Sequence, residues 1–124
     1  MKITTVDLFP YSVDRRYATQ IAQEGGGARE MVAASPFLFV RAETDSGLTG
    51  WGEISDIEPD EVPETTAWEE RVRDALVDRD PWQLEQLHQD WLTMFAEDDE
   101  SSLNRLTRAG LDMLCHDLAS QEAG

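Results

Sequence analysis

Polar and apolar residues alternate through residues 2 to 10, KITTVDLFP, and predict a strand with Val6 and Leu8 on one face. The alternation is clearer at 37 to 45, FLFVRAETD, where Leu38, Val40 and Ala42 face one way and Phe39, Arg41 and Glu43 the other. DSG at 45 to 47 then predicts a tight turn, with Gly47 taking a positive φ. LTGWGE at 48 to 53 returns as a third strand. Gly50 and Gly52 leave the backbone bare on either side of Trp51, so another part of the molecule can approach it closely. These segments form a small antiparallel meander.

After residue 58 the period lengthens. Residues 64 to 77 place Ala67, Trp68, Val72, Ala75 and Leu76 at helical spacing. DRDPW at 78 to 82 breaks the chain and restarts it, with Asp80 expected as N-cap and Pro81 at the first helical position. The next helix carries Leu84, Leu87, His88, Trp91, Leu92 and Phe95 at steps of three and four. EDDESS ends it, and Ser101 or Ser102 is expected to cap the last helix. Leu106, Ala109, Leu111, Met113, Leu114, Cys115, Leu118 and Ala119 surround most of that helix, a pattern that calls for burial on several sides. Strands first and helices after predict an α+β fold: a three-stranded antiparallel meander followed by a helical bundle packed on one sheet face.

The first two strands are separated by residues 11 to 35. So long a connection without clear periodicity reads as a functional or mobile segment. Its three consecutive glycines, Gly25, Gly26 and Gly27, lack the spacing and the lysine of a phosphate loop. They read as the hinge of a flap, or equally as a floppy surface loop.

A length of 124 residues allows one domain with a real core, or one domain and the opening of another. The N-terminus reads as neither a signal peptide nor a membrane-spanning run. Cys115 has no partner for an internal disulfide and reads as a small buried hydrophobe. Charge is the unusual feature: 26 acidic residues against 10 basic ones, a net charge of -16, with Lys2 the sole lysine. Such a surface repels nucleic acid and anionic membranes. Spread along the chain of an otherwise ordinary domain, it points to a halophile, a protein of high-salt surroundings, ahead of an acidic nucleic-acid mimic.

Three features combine into a resemblance: the meander with its long flap, GLTGWGEIS at 47 to 55, and RAGLDMLCHDLASQEAG at 108 to 124 after a helix that opens RDPWQLEQL. The chain resembles the N-terminal capping domain of the enolase superfamily, in its mandelate racemase and muconate lactonizing branch. Ala109, Gly110, Leu111, Asp112, Asp117, Leu118 and Gln121 match the family's final helix. Thr107, Leu114, Cys115 and Ser120 depart from its usual small or leucine choices, and His116 stands where a tryptophan is common, which leaves the subgroup open.

The resemblance implies an enolase N-terminal-domain-like fold over residues 1 to 100. Residues 101 to 124 would be the last helix, leading towards a (β/α)-barrel that this chain does not contain. It implies a parent enzyme that abstracts a proton next to a carboxylate while Mg2+ stabilises the enediolate, the metal ligands and the lysine or histidine bases lying on the barrel. This chain alone would hold no catalytic residue and no metal, and would be inactive. His88 and His116, among apolar neighbours, read as packed histidines.

The capping domain's implied contribution is a lid of two loops that exclude water and touch the distal part of the substrate. They would be the flap, where Arg15, Arg16, Tyr17 and Arg29 suit an anionic or polyhydroxy substrate, and the loop opening with Glu53, Ile54 and Ser55. Trp51 reads as core rather than lid. The arginines favour an acid-sugar dehydratase over a racemase or cycloisomerase. The implied partners are the chain's own barrel, a small carboxylate or sugar-acid substrate, and further copies in a homo-oligomer joined through the last helix or the one carrying Trp91, in the cytoplasm. The competing reading is a stand-alone interaction module that kept the cap and lost the barrel. Sequence beyond residue 124 separates the two.

The charge generates the first prediction. Added salt shortens the reach of charge repulsion from about 30 Å at about 0.01 M to about 3 Å at about 1 M. Thermal midpoints measured across that series should rise steeply, and a flat or falling midpoint contradicts the high-salt reading.

Overall fold

The computed structural model describes residues 1–19, 29–96 and 102–124, the side chains at 14–19 and 29–34 excepted. The elements run β1 (Ile3–Thr19), β2 (Arg29–Thr44), β3 (Thr49–Ile54), α1 (Thr65–Leu76), α2 (Leu84–Met94) and α3 (Leu103–Ala123). The strands form one antiparallel sheet in the order β1-β2-β3. The helices cover one face, so the fold is α+β, as the order of periodicities predicts.

Leu38, Val40 and Ala42 are buried with Val6, Leu8 and Ile54 on the inner sheet face. Against them pack Trp68, Val72 and Leu76 of α1, Leu87 and Trp91 of α2, Phe95, and Leu111, Leu114 and Leu118 of α3. The turn after β2 closes as expected: Gly47 has φ 83° and its N–H donates to Thr44 O at 3.1 Å. Glu64 caps α1, its carboxylate accepting from Ala67 N at 2.6 Å and Thr66 N at 3.2 Å. Those backbone donors, Ala67 first and Thr66 second, hold its pKa below the ordinary 4.5.

Four expectations change. The segment 11 to 35 is mostly strand: β1 and β2 stay paired from Tyr11↔Phe37 out to Thr19↔Arg29. Among the described side chains of this stretch, Tyr11, Ser12 and Val13 are all exposed and so give no alternation. Gly25, Gly26, Gly27 and Ser101 lie outside the described residues. Asp80 does not cap α2. It closes a turn, accepting from Trp82 N through Oδ1 and from Gln83 N through its carbonyl, both at 3.0 Å, and α2 begins three residues after Pro81. Ser102 holds the N-cap position of α3 without a side-chain bond to the helix. Finally, α3 is satisfied within the domain. Its Leu111, Leu114, Cys115 and Leu118 are wholly buried, and Met113 is left half exposed. The wide apolar arc is used because α3 lies on β3 while touching both other helices, through Trp68 Nε1–Thr107 Oγ1 at 3.2 Å and His88 Nε2–Asp112 Oδ1 at 2.7 Å. Pairing of copies through Leu111, Leu118 or Trp91 is therefore closed, since each is core.

The seat of α3 on β3 has almost no spacer. A Cβ on Gly50 would lie 2.5 Å from Leu118 Cγ, and one on Gly110 would lie 2.8 Å from Glu53 O. A Cβ on Gly52 would enter the carbonyl oxygen of Gly110. The bare backbone read around Trp51 thus receives a helix.

On each edge of the three-stranded part of the sheet, helix side chains occupy one outward N–H and one outward C=O in the same way. On β3, Asp117 Oδ2 accepts from Trp51 N at 2.9 Å and Gln121 Nε2 donates to Thr49 O at 2.7 Å. On β1, Glu69 Oε2 accepts from Leu8 N at 2.8 Å and Arg73 Nε donates to Val6 O at 3.0 Å. Each clasp is an acceptor and a donor four residues apart on one helix, meeting the outward N–H of one strand residue and the outward C=O two residues before it. Below the β1 clasp, the strand start is paired by Ile3 N to Arg79 O and Asp78 N to Ile3 O, both at 2.9 Å. Groups that would otherwise template another strand are thereby occupied.

Overpacking at such a contact costs about 1–3 kcal/mol and sometimes more. Gly52→Ala should fall in or above that range in chemical denaturation, because the obstructing atoms are backbone. Met113→Ala, at an exposed position of the same helix, should stay within about 0.5 kcal/mol. Equal effects would contradict the close seat.

Candidate lid site

The antiparallel order brings the two expected lid segments to one end of the sheet. β1 runs up, β2 down and β3 up, so the far end of the β1–β2 hairpin and the exit of β3 share an end. β3 stops at Ile54, level with Leu38 and Pro10. Residues 11–19 of β1 continue beyond that row, roughly 30 Å of extended chain at strand rise. Arg16 stands opposite Val32 on this extension, Tyr17 opposite Met31 and Arg29 opposite Thr19, while Arg15 pairs with Ala33. Their side chains lie outside the described part.

The second segment starts with three residues of unlike placement. Glu53 is half-buried on the outer sheet face, opposite Phe39. Ile54 is wholly buried beside Gly110, which makes it the anchor of the loop rather than part of its exposed surface. Ser55 is half-buried at the exit. Asp56 then takes φ 60°, a left-handed conformation costly for most non-glycine residues, and Ile57 returns to the core at 3% exposure. The loop is thus pinned at Ile54 and Ile57, with Ser55 and Asp56 raised between them. A short 3-10 turn at Pro59–Glu61 precedes Val62.

The two segments meet at a cavity of about 260 Å³ lined by Pro10, Tyr11, Ser12, Pro36, Phe37, Leu38 and Val62. Neither Tyr11 nor Val62 stands out by periodicity. The available signal is the pair of proline–aromatic steps, Pro10–Tyr11 and Pro36–Phe37, which the register places across from each other. Pro36 sits where β2 has already lost β3 as neighbour, a position where a missing N–H is tolerated.

Trp51 is not core. It is 47% exposed on the outer sheet face, 6.0 Å from the Phe9 ring. Arg41 lies over both rings, at 5.2 Å from Phe9 and 6.0 Å from Trp51, and its guanidinium bonds Asp7 at 2.9 Å. The patch continues through Phe39, 6.2 Å from Tyr11 and 6.3 Å from Phe37.

His88 and His116 are also more open than expected, with side chains 50% and 62% exposed. Both approach Asp112 Oδ1, His88 Nε2 at 2.7 Å and His116 Nε2 at 3.5 Å. Beside them α2 and α3 form a groove of about 360 Å³ containing Trp91, Leu92 and Arg108. The helical step brings Asp112 and His116 of α3 to one face, and this half-buried acid explains why an apolar-looking helix carries His116 outward. Cys115 is buried, and burial first, with the charge of Asp112 second, pushes its thiol up to about 12, which keeps it protonated and inert. Among the described residues no group of three or more His, Cys, Asp or Glu could hold a metal ion, and no helix is long and apolar enough to cross a membrane.

Solved structures share this fold. A protein of Roseovarius nubinhibens ISM, described as a mandelate racemase/muconate lactonizing enzyme, is 28% identical and superposes with a TM-score of 0.71 over 100% of this chain and 32% of its own. The same protein has been solved with magnesium. The dipeptide epimerase of Methylococcus capsulatus, solved with Mg and the dipeptide L-Arg-D-Lys, is 25% identical with a TM-score of 0.68 over 100% of this chain and 33% of its own. The L-Ala-D/L-Glu epimerase of Bacillus subtilis, 20% identical with a TM-score of 0.68 over 100% of this chain and 32% of its own, shares the fold. The chain spans about a third of the length of these structures. A comparison with curated protein sequences finds no match. Residues 15–124 match the family described as mandelate racemase / muconate lactonizing enzyme, N-terminal domain, and the chain belongs to that family.

Proposed function

We propose that this chain is the lid of an enolase-superfamily enzyme that abstracts a proton next to a carboxylate. The observation that supports it most is the sharing of one sheet end by the hairpin and the Ser55–Val62 loop, in a fold that matches Mg-bound enzymes along its whole length. In this reading residues 1–100 form the cap, and 101–124 form the helix that leads to a (β/α)-barrel. The lid excludes water from the barrel mouth, which strengthens electrostatic interactions inside.

Among the described residues no cluster suits Mg2+; the metal and the proton-transferring groups are placed on the barrel by the family resemblance. What this chain supplies is surface: Arg16, Tyr17 and Arg29 on the hairpin, with Glu53 and Ser55 at the second loop. Arginines offer paired donors to a carboxylate or to a row of hydroxyls. On that ground we retain an acid-sugar dehydratase as the activity of the parent, working in the cytoplasm of a halophile. The dipeptide-bound relative favours a second reading, an epimerase whose lid arginines face the terminal carboxylate of a dipeptide.

The test incubates the purified chain with Mg2+ and panels of sugar acids and dipeptides, following keto-acid formation and loss of optical purity. The chain should be inactive. Turnover that tracks the purified chain contradicts the lid reading, as does a stop codon directly after Gly124 in the gene. A downstream barrel with spaced Asp and Glu residues supports it.

A further inference from the structure

We draw no further inference here: the strongest candidate, the groove between α2 and α3 where His88 and His116 meet Asp112, carries nothing because among the described residues no group of three ligands suits a metal ion and nothing in the structure shows what covers the groove's apolar side.

Discussion

Everything positioned in this domain hangs on the absence of three side chains. Gly50, Gly52 and Gly110 let α3 lie directly on the backbone of β3. Helix and strand then share close contact along the whole strand, from Leu118 over Gly50 to Ile54 beside Gly110. That proximity brings Asp117 and Gln121 within hydrogen-bonding reach of the strand edge. It also fixes the height at which Ser55 and Asp56 leave the sheet, because Ile54 is held under the helix. A spacer of one methyl group would move the helix, the clasp and the loop together.

The second clasp gives the first its meaning. Glu69 and Arg73 repeat on β1 what Asp117 and Gln121 do on β3, with a different acid and a different donor. A three-stranded sheet has two edges and only one inner strand, so it is exposed to further pairing. Holding these edge groups with side chains, rather than with more strands, leaves the β1–β2 hairpin free to run beyond β3 and reach outward. The lid geometry and the protection of the sheet therefore come from the same packing.

Much of this was legible in the sequence. The inner face at Leu38, Val40 and Ala42, the turn at Gly47, the helix carrying Trp68 and Val72, and the bare strand around Trp51 all follow from local pattern. The hairpin's length was hidden because Tyr11, Ser12 and Val13, all exposed, give no alternation. Trp51 and the last helix were misjudged for a common reason. Residue type describes how much burial is wanted, not which neighbour provides it: the helix found its neighbours inside the domain, and Trp51 did not. Asp117 and Gln121 were visible as part of a family resemblance, but their bond partners, Trp51 N and Thr49 O, are more than sixty residues away. The site was least legible, because Glu53, Ile54 and Ser55 are adjacent in sequence yet one faces outward, one is core and one opens the loop.

Native-state hydrogen exchange at two amides tests this account most directly. Leu8 N–H and Trp51 N–H point away from the sheet, and without a clasp they would exchange like solvated edge groups. If the helix side chains complete the sheet, both amides should be protected to nearly the level of the β1–β2 ladder. Asp117→Ala should release Trp51 alone while leaving Leu8 protected. Rapid exchange at both amides in the unaltered chain, with the ladder intact, would contradict the claim that these clasps hold the edges.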